Sequence, residues 1–351
     1  TLADAWSNTG TINASGATVN LGGTFTLAQL GTFNRTGGTV KVAGVLNLTG
    51  DTLALNATTG SWTLDRGTIR GGTVTLSEGA RLICVNNIPS SLDGVTLNGD
   101  LDVTSTLARV FIRNGLTLTG SVLLDRGGNI TFEGTQTLGS GSIVFGGAMG
   151  GSFPNSLTIA ANTTLTLGPA GVVRGSLGTL NGNGTLINQG LISADVAGGT
   201  LSVDPRGFTN AGTSECLNGG SLIISAATSN NAGVINAAGT GALTFADSWS
   251  NTGTINASGA TVNLGGTFTL AQLGTFNRTG GIVKVTGVLN LTGDTLALNA
   301  TTGSWTLDRG TILGGTVTLS DGAKLICVIN IPSTLVGVTL NGDLDVTSTL
   351  A

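Results

Sequence analysis

Four phrases of one form, Asn188-Gln189-Gly190, Asn210-Ala211-Gly212, Asn231-Ala232-Gly233 and Asn251-Thr252-Gly253, follow one another at nearly even steps, each step one residue shorter than the one before. Three run on to an isoleucine, Ile192, Ile235 and Ile255. An aromatic residue stands two positions ahead of two of them, Phe208 and Trp249, as Trp6 stands ahead of Asn8. A unit of about 20 residues is too small to bury a face of its own, but such units stacked on one another bury a continuous core. Asparagine has a physical use at a corner repeated turn after turn. Its amide can donate to the next asparagine in the row, and it tolerates left-handed φ.

On both sides of these phrases the chain is a succession of short alternating runs, among them Val19-Asn20-Leu21, Val40-Lys41-Val42, Leu116-Thr117-Leu118, Leu165-Thr166-Leu167 and Leu201-Ser202-Val203. Alternation of period two is the mark of half-buried strands. Between the runs stand Gly22-Gly23, Gly37-Gly38 and Thr49-Gly50-Asp51, which suit tight turns. Helical periodicity is absent. The five prolines sit at run edges or beside turn residues, as strands require. The reading is all-β: a parallel β-helix, or β-solenoid, of about 20 to 30 residues and three short strands per coil. In the first half the aromatic phrases at Trp6, Phe33 and Trp62 suggest coils of about 25 to 30 residues. Gly146 to Pro154 interrupt the alternation and are expected to form a protruding loop or irregular coil.

A second, longer period encloses the first. Thr1–Ala108 returns as Thr244–Ala351, an offset of 243 residues with ten substitutions, most of them like for like. The expected organisation is one continuous solenoid over residues 1–351, with a long repeat unit 1–243 and a partial second copy 244–351. Because the second copy stops part-way, and because Thr1 is followed by neither a basic n-region nor an apolar h-region, the chain is expected to be a window on a longer, mature array.

Composition excludes several functions. Charged residues make up 9% of the chain, the formal net charge is -4, and no like-charge run occurs, so nucleic acid is not an expected partner. No apolar run approaches the roughly 20 residues of a spanning helix, so no membrane span is expected. Hydrophobic residues at 40% in regular alternation supply the apolar surface that disordered chains lack. The chain has no histidine, which removes Ser-His-Asp and Cys-His nucleophile pairs and HExxH zinc sites. Lys41, Lys284 and Lys324 follow Val, Val and Ala, so there is no Gly-Lys-Ser/Thr phosphate loop, and no cofactor is expected. Cys84 and Cys327 are one repeat position. Cys84 in Leu82-Ile83-Cys84-Val85 reads as a buried thiol, and the alternative use of a cysteine is an intermolecular bridge through Cys216.

Asp100-Leu101-Asp102, repeated as Asp343-Leu344-Asp345, places two carboxylates on one strand face about 7 Å apart. That spacing is used in glycoside hydrolysis and could contribute to a weak Ca²⁺ site, against the plainer reading of a solvated face. Asp-Arg-Gly recurs at Asp65, Asp125 and Asp308, read as a corner in which Asp caps the turn and Gly takes the left-handed position. The turn and ladder residues are therefore expected to be Asn8, Asn188, Asn210, Asn231, Asn251, Asp65, Asp125 and Asp308.

The phrases Trp6-Ser7-Asn8-Thr9-Gly10-Thr11-Ile12 and Phe208-Thr209-Asn210-Ala211-Gly212-Thr213 resemble those of large secreted bacterial β-helix proteins, the filamentous-haemagglutinin-like adhesins and autotransporter passengers. The resemblance implies a right-handed solenoid exported to the cell surface, where such proteins serve as stalks, adhesins or matrix. This chain departs from them in its long, near-identical period. The expected function is a non-enzymatic structural one: an extracellular fibre, stalk or filament whose partners are further copies of the same repeat, end to end or side by side. The alternatives are an adhesin that contacts glycans, through aromatics such as Trp62 or Trp305, and a polysaccharide lyase or hydrolase built on Asp100 and Asp102.

Overall fold

A computed structural model of the chain describes residues 1–85, 88–147 and 153–347. They form two compact units, Thr1–Leu186 and Ile187–Ala351. Each is a stack of parallel strands, and the fold is an all-β parallel β-solenoid with about 16 turns of roughly 21 residues. Most turns carry three strands, as in Thr68–Arg70, Thr73–Leu76 and Leu82–Cys84.

Within Thr1–Leu186, Thr18 pairs with Thr39 and Val122 with Ile143, each spanning one turn of roughly 21 residues. The longer coils suggested by the aromatic phrases are therefore not general in the first half. Those phrases misled because their members occupy different faces: Phe33 pairs with Ile12, whereas Trp62 pairs with Val40. One turn does exceed its neighbours, since Asn129 pairs with Ser156 and Ser142 with Val172, both well beyond the usual step. The interruption expected at Gly146 to Pro154 falls within this turn, and its residues 148–152 lie outside the described residues.

Alternation decides what is buried, because every second side chain of a strand points inward. Register then stacks the inward residues into columns. Leu21, Val42, Leu64 and Cys84 form one, which the register of Ile83 with Asp102 carries on through Val103, Leu124 and Phe145. None of these is more than 1% exposed. Full burial of such a side chain stabilises by about 1.5 to 3 kcal/mol. Cys84 is a core residue whose pKa burial pushes up to about 12, with the nearby Asp102 charge adding to the rise.

In Ile187–Ala351 the columns Ile192, Ser214, Ile235, Ile255 and Ala194, Cys216, Ala237, Ala257 run side by side. Ser214 is buried in the first of them because its hydroxyl donates to Asn210 Oδ1 at 3.0 Å. Cys216 is fully buried, 0% exposed, so its Sγ faces the core and not a neighbouring molecule; burial raises its pKa to about 12.

The sequence showed no helical period, yet each copy contains a single helical turn, Leu27–Leu30 and Leu270–Leu273. One turn is too short to display a period. What starts each is a capping box, Thr26 with Gln29 and Thr269 with Gln272, in which the hydroxyl accepts from the glutamine N–H and the glutamine amide oxygen accepts from the threonine N–H.

Candidate functional site

The Asn-x-Gly corner is built as a ladder. Asn188 Nδ2 donates to Asn210 Oδ1, Asn210 Nδ2 to Asn231 Oδ1 and Asn231 Nδ2 to Asn251 Oδ1, each at 2.7 Å. All four side chains are buried, at most 3% exposed. The backbone repeats the link, since the N–H groups of Ala211 and Gly212 converge on Asn188 O, and those of Ala232 and Gly233 on Asn210 O. The row ends where the helical turn begins: Asn251 Nδ2 donates to Leu273 O at 2.8 Å, as Asn8 donates to Leu30 O at 3.0 Å. None of these asparagines has positive φ, so the amide and not left-handed tolerance selects the residue. A second, outer row is one the repeated phrase does not announce: Asn256 Nδ2 donates to Asn236 Oδ1 at 3.0 Å and Asn277 Nδ2 to Asn256 Oδ1 at 2.9 Å.

The Asp-Arg-Gly corners differ from expectation. Positive φ falls on Arg66, Arg126 and Arg309, while among the three glycines only Gly127 shares it. Gly67 and Gly310 are required by close approach instead: a Cβ would lie 2.2 Å from Val42 O and 2.2 Å from Val285 O. Asp65 accepts from Lys41 Nζ at 2.9 Å and Asp308 from Lys284 Nζ at 3.4 Å, each tied to the preceding turn; Asp125 Oδ1 accepts from Arg126 N–H at 2.8 Å.

The paired carboxylates are divided between different partners. Asp100 Oδ1 accepts from Ser121 N–H at 2.7 Å. Asp102, 7% exposed, accepts from Arg81 Nη1 at 3.0 Å and from the N–H and hydroxyl of Thr104 at 3.0 and 2.7 Å. The sequence around this pair shows no cation because Arg81 arrives from the preceding turn. In the second copy Lys324 and Thr347 bind Asp345 in the same way, beside Asp343 in an open groove. Burial raises the Asp102 pKa, but Thr104 and Arg81 together outweigh it and hold the carboxyl below its usual value. Asp345 is also lowered, first by the Thr347 N–H and hydroxyl and then by Lys324. A general acid needs the opposite shift.

Because folded Asp102 titrates below the unfolded value of about 3.9, its stabilisation is complete above that pH and is lost as pH falls through the folded value. The urea midpoint should therefore decline below about pH 4. Asp102→Asn should lower the midpoint at pH 7, by about 1 to 3 kcal/mol in stability, and flatten the acid decline; an unchanged acid slope would contradict this role.

A further site emerges only in three dimensions. Strand Thr275–Thr279 pairs residue for residue with Thr254–Ser258, so that Phe276 lies beneath Ile255 and Arg278 beneath Ala257. Arg278 thus ends the column of Ala194, Cys216, Ala237 and Ala257. A guanidinium cannot enter an apolar column without severe desolvation cost, and the ladder stops here. The strand of the next turn, Thr295–Leu298, pairs onward with Thr316–Leu319 in a separate sheet and not with Thr275–Thr279.

Between the two strands lies a cleft of about 510 Å³, lined by Leu270, Leu273, Phe276, Leu296 and Trp305. Arg278 closes part of it, donating from Nε to Gly280 O at 3.1 Å, from Nη1 to Thr302 O at 2.7 Å and from Nη2 to Gly281 O at 2.7 Å. Burial draws its pKa below the ordinary value, and among the described residues no carboxylate lies within ion-pair distance of it. Trp305 is 2% exposed and its Nε1 has no hydrogen-bond partner among the described residues.

In the first copy Phe33 lies beneath Ile12 and Arg35 beneath Ala14, and Trp62 Nε1 likewise has no partner among the described residues. Trp62 and Trp305 are core residues, each 2% exposed, with no ring face open for a sugar to stack on. The signal in the sequence was Thr32-Phe33-Asn34-Arg35-Thr36, where period-two alternation puts a charge on the same side as Phe33. Comparison with known protein families, with curated proteins and with solved structures finds nothing that this chain matches.

Proposed function

We propose that the protein is a non-enzymatic structural element, a repetitive extracellular β-solenoid that forms a cell-surface fibre, stalk or filament, as the filamentous-haemagglutinin-like and autotransporter-passenger phrases suggest. The observation that carries this reading is the repetition of bonding as well as of sequence. Lys41–Asp65 recurs as Lys284–Asp308, Arg81–Asp102 as Lys324–Asp345, and the carbonyl contacts of Arg35 as those of Arg278. A chain whose copies present one surface over and over favours length and side-by-side registry over a single reaction centre. Lowered Asp102 and Asp345 pKa values fit this better than glycoside hydrolysis does. Its partners are further copies of the repeat.

Turns of roughly 21 residues at about 4.8 Å each give the 243-residue offset an expected rise of about 55 Å, more than the longer coils expected from the aromatic phrases would allow. Electron micrographs of native and recombinant material should show long fibres carrying that axial period. Isolated particles of uniform length with no such period would sink the filament reading and favour a capped stalk. The adhesin reading has one observation in its favour, the cleft beside Arg278.

A further inference from the structure

The cleft interrupts a sheet, and its two rims are strand edges. In a parallel ladder the N–H and C=O of one residue point to one neighbouring strand and those of the next residue to the other. Thr279 O accepts from Gly259 N–H in the turn above at 3.0 Å, which turns Thr275, Asn277 and Thr279 upward. The N–H and C=O of Phe276 and Arg278 therefore point down into the cleft. On the lower rim, Thr316 N–H donates to Asp294 O at 3.1 Å and Ser320 N–H to Leu298 O at 2.9 Å, which turns Leu296 and Leu298 downward. Thr295 and Ala297 face up into the cleft, and of their groups Ala297 O already accepts from Thr302 Oγ1 at 2.8 Å. Two rows of alternating donors and acceptors thus face each other across the opening, and unpaired strand edges are templates for another strand.

Two side chains narrow the chemistry of the occupant. Arg278 is a half-buried cation with no carboxylate beside it among the described residues. Three of the five guanidinium N–H groups of Arg278 are given to Gly280 O, Thr302 O and Gly281 O, and among the described residues no acceptor is recorded for the others. Trp305 contributes a buried indole N–H with no partner among the described residues. The remaining lining, with Leu270, Leu273, Phe276 and Leu296, is apolar.

We propose that this cleft receives an extended acidic peptide as an added strand, its backbone pairing with Phe276 and Arg278 above and Thr295 below, with an inward carboxylate against Arg278 and an inward apolar side chain two residues away. Main-chain pairing supplies affinity and the alternate side chains supply specificity, the usual division in strand addition. A free sugar would use the guanidinium but not the two backbone rows. The inference concerns the single chain in solution and stands whether or not the chain forms fibres.

The test is titration calorimetry of the full chain with the peptide Ac-Thr-Val-Thr-Glu-Thr-NH₂. Three comparison ligands are the same peptide with glutamine for glutamate, the same peptide with proline for the central threonine, and galacturonic acid. The parent peptide is expected to bind, and both altered peptides to bind at least about tenfold more weakly, the first for loss of a charge-assisted bond and the second for loss of a backbone donor. In the Arg35→Gln, Arg278→Gln double variant the preference for glutamate over glutamine should vanish. No heat with the parent peptide at millimolar concentration would overturn the proposal. So would equal binding of the parent and proline peptides, which would mean an anion site without strand pairing, or tighter binding of galacturonic acid, which would make it a saccharide site. The peptide series uses only the unaltered chain, so the result does not depend on how the double variant folds.

Discussion

Replacing Asn210 by alanine is expected to destabilise the unit Ile187–Ala351 by about 3 to 5 kcal/mol, the first of two large effects. Asn210 is 0% exposed and is joined to Asn188, Asn231, Val234 and Ser214. Removal would strand Asn231 Oδ1, the Ser214 hydroxyl and one N–H of Asn188 in the interior, and each such buried group costs about 1 to 3 kcal/mol. Asn210→Asp should be at least as damaging, because a carboxylate would set an acceptor against Asn231 Oδ1, now 2.7 Å away. Asn236→Ala, in the solvent-facing row, should cost no more than about 1 kcal/mol. Urea unfolding followed by circular dichroism compares the three, and hydrogen exchange localises the loss. Equal effects at Asn210 and Asn236 would show that the inner row is not what holds the turns together.

Gly233→Ala is expected to cost on the order of 3 kcal/mol, although Gly233 does not have positive φ. A Cβ there would stand 2.2 Å from Gly212 O, and the same closeness recurs at Gly212 against Gly190 O, 2.4 Å, and at Gly253 against Gly233 O, 2.1 Å. Relief requires two turns to move apart and stretches the bonds that Ala232 and Gly233 N–H make to Asn210 O. Gly239 is the informative comparison. Its φ is +63° and a Cβ would meet nothing within 4 Å, so Gly239→Ala tests backbone handedness alone, at about 1 kcal/mol. Thermal and urea unfolding of the two variants should separate them clearly. A Gly233→Ala protein no less stable than Gly239→Ala would mean that the turn spacing is softer than the geometry implies.

Together these expectations account for the phrase that recurs in the sequence. Asn is needed for its amide and its carbonyl, Gly for the absence of a Cβ, and the residue between them for its N–H, to which Thr252 adds a hydroxyl bond to Asn231 O. Residues with one structural task in every turn leave a periodic trace, and for that reason the solenoid, its strands and the Asn188–Asn251 row were legible without coordinates. Cys84 in an apolar alternating run was legible for the same reason.

What could not be read shares a different property. Arg81 reaches Asp102, Lys41 reaches Asp65, and Arg35 reaches Thr59 from one turn away, between 21 and 24 residues along the chain. No local window contains both partners, and the length of a turn must be known before they can be paired. The aromatic spacing of the first half failed on the same ground, because Phe33 and Trp62 sit on different faces and their separation measures no turn.

By itself, then, the sequence determined the β-solenoid: period-two alternation set which side chains turn inward, and the Asn-x-Gly period set the turns whose stacking buries them. Only the tertiary structure decided where that stacking breaks. Phe276 and Arg278 keep the alternation of their neighbours, so the pattern continues through them. It is the register with Ile255 and Ala257 that brings a guanidinium to the foot of an apolar column, and the cost of burying that charge that opens the cleft.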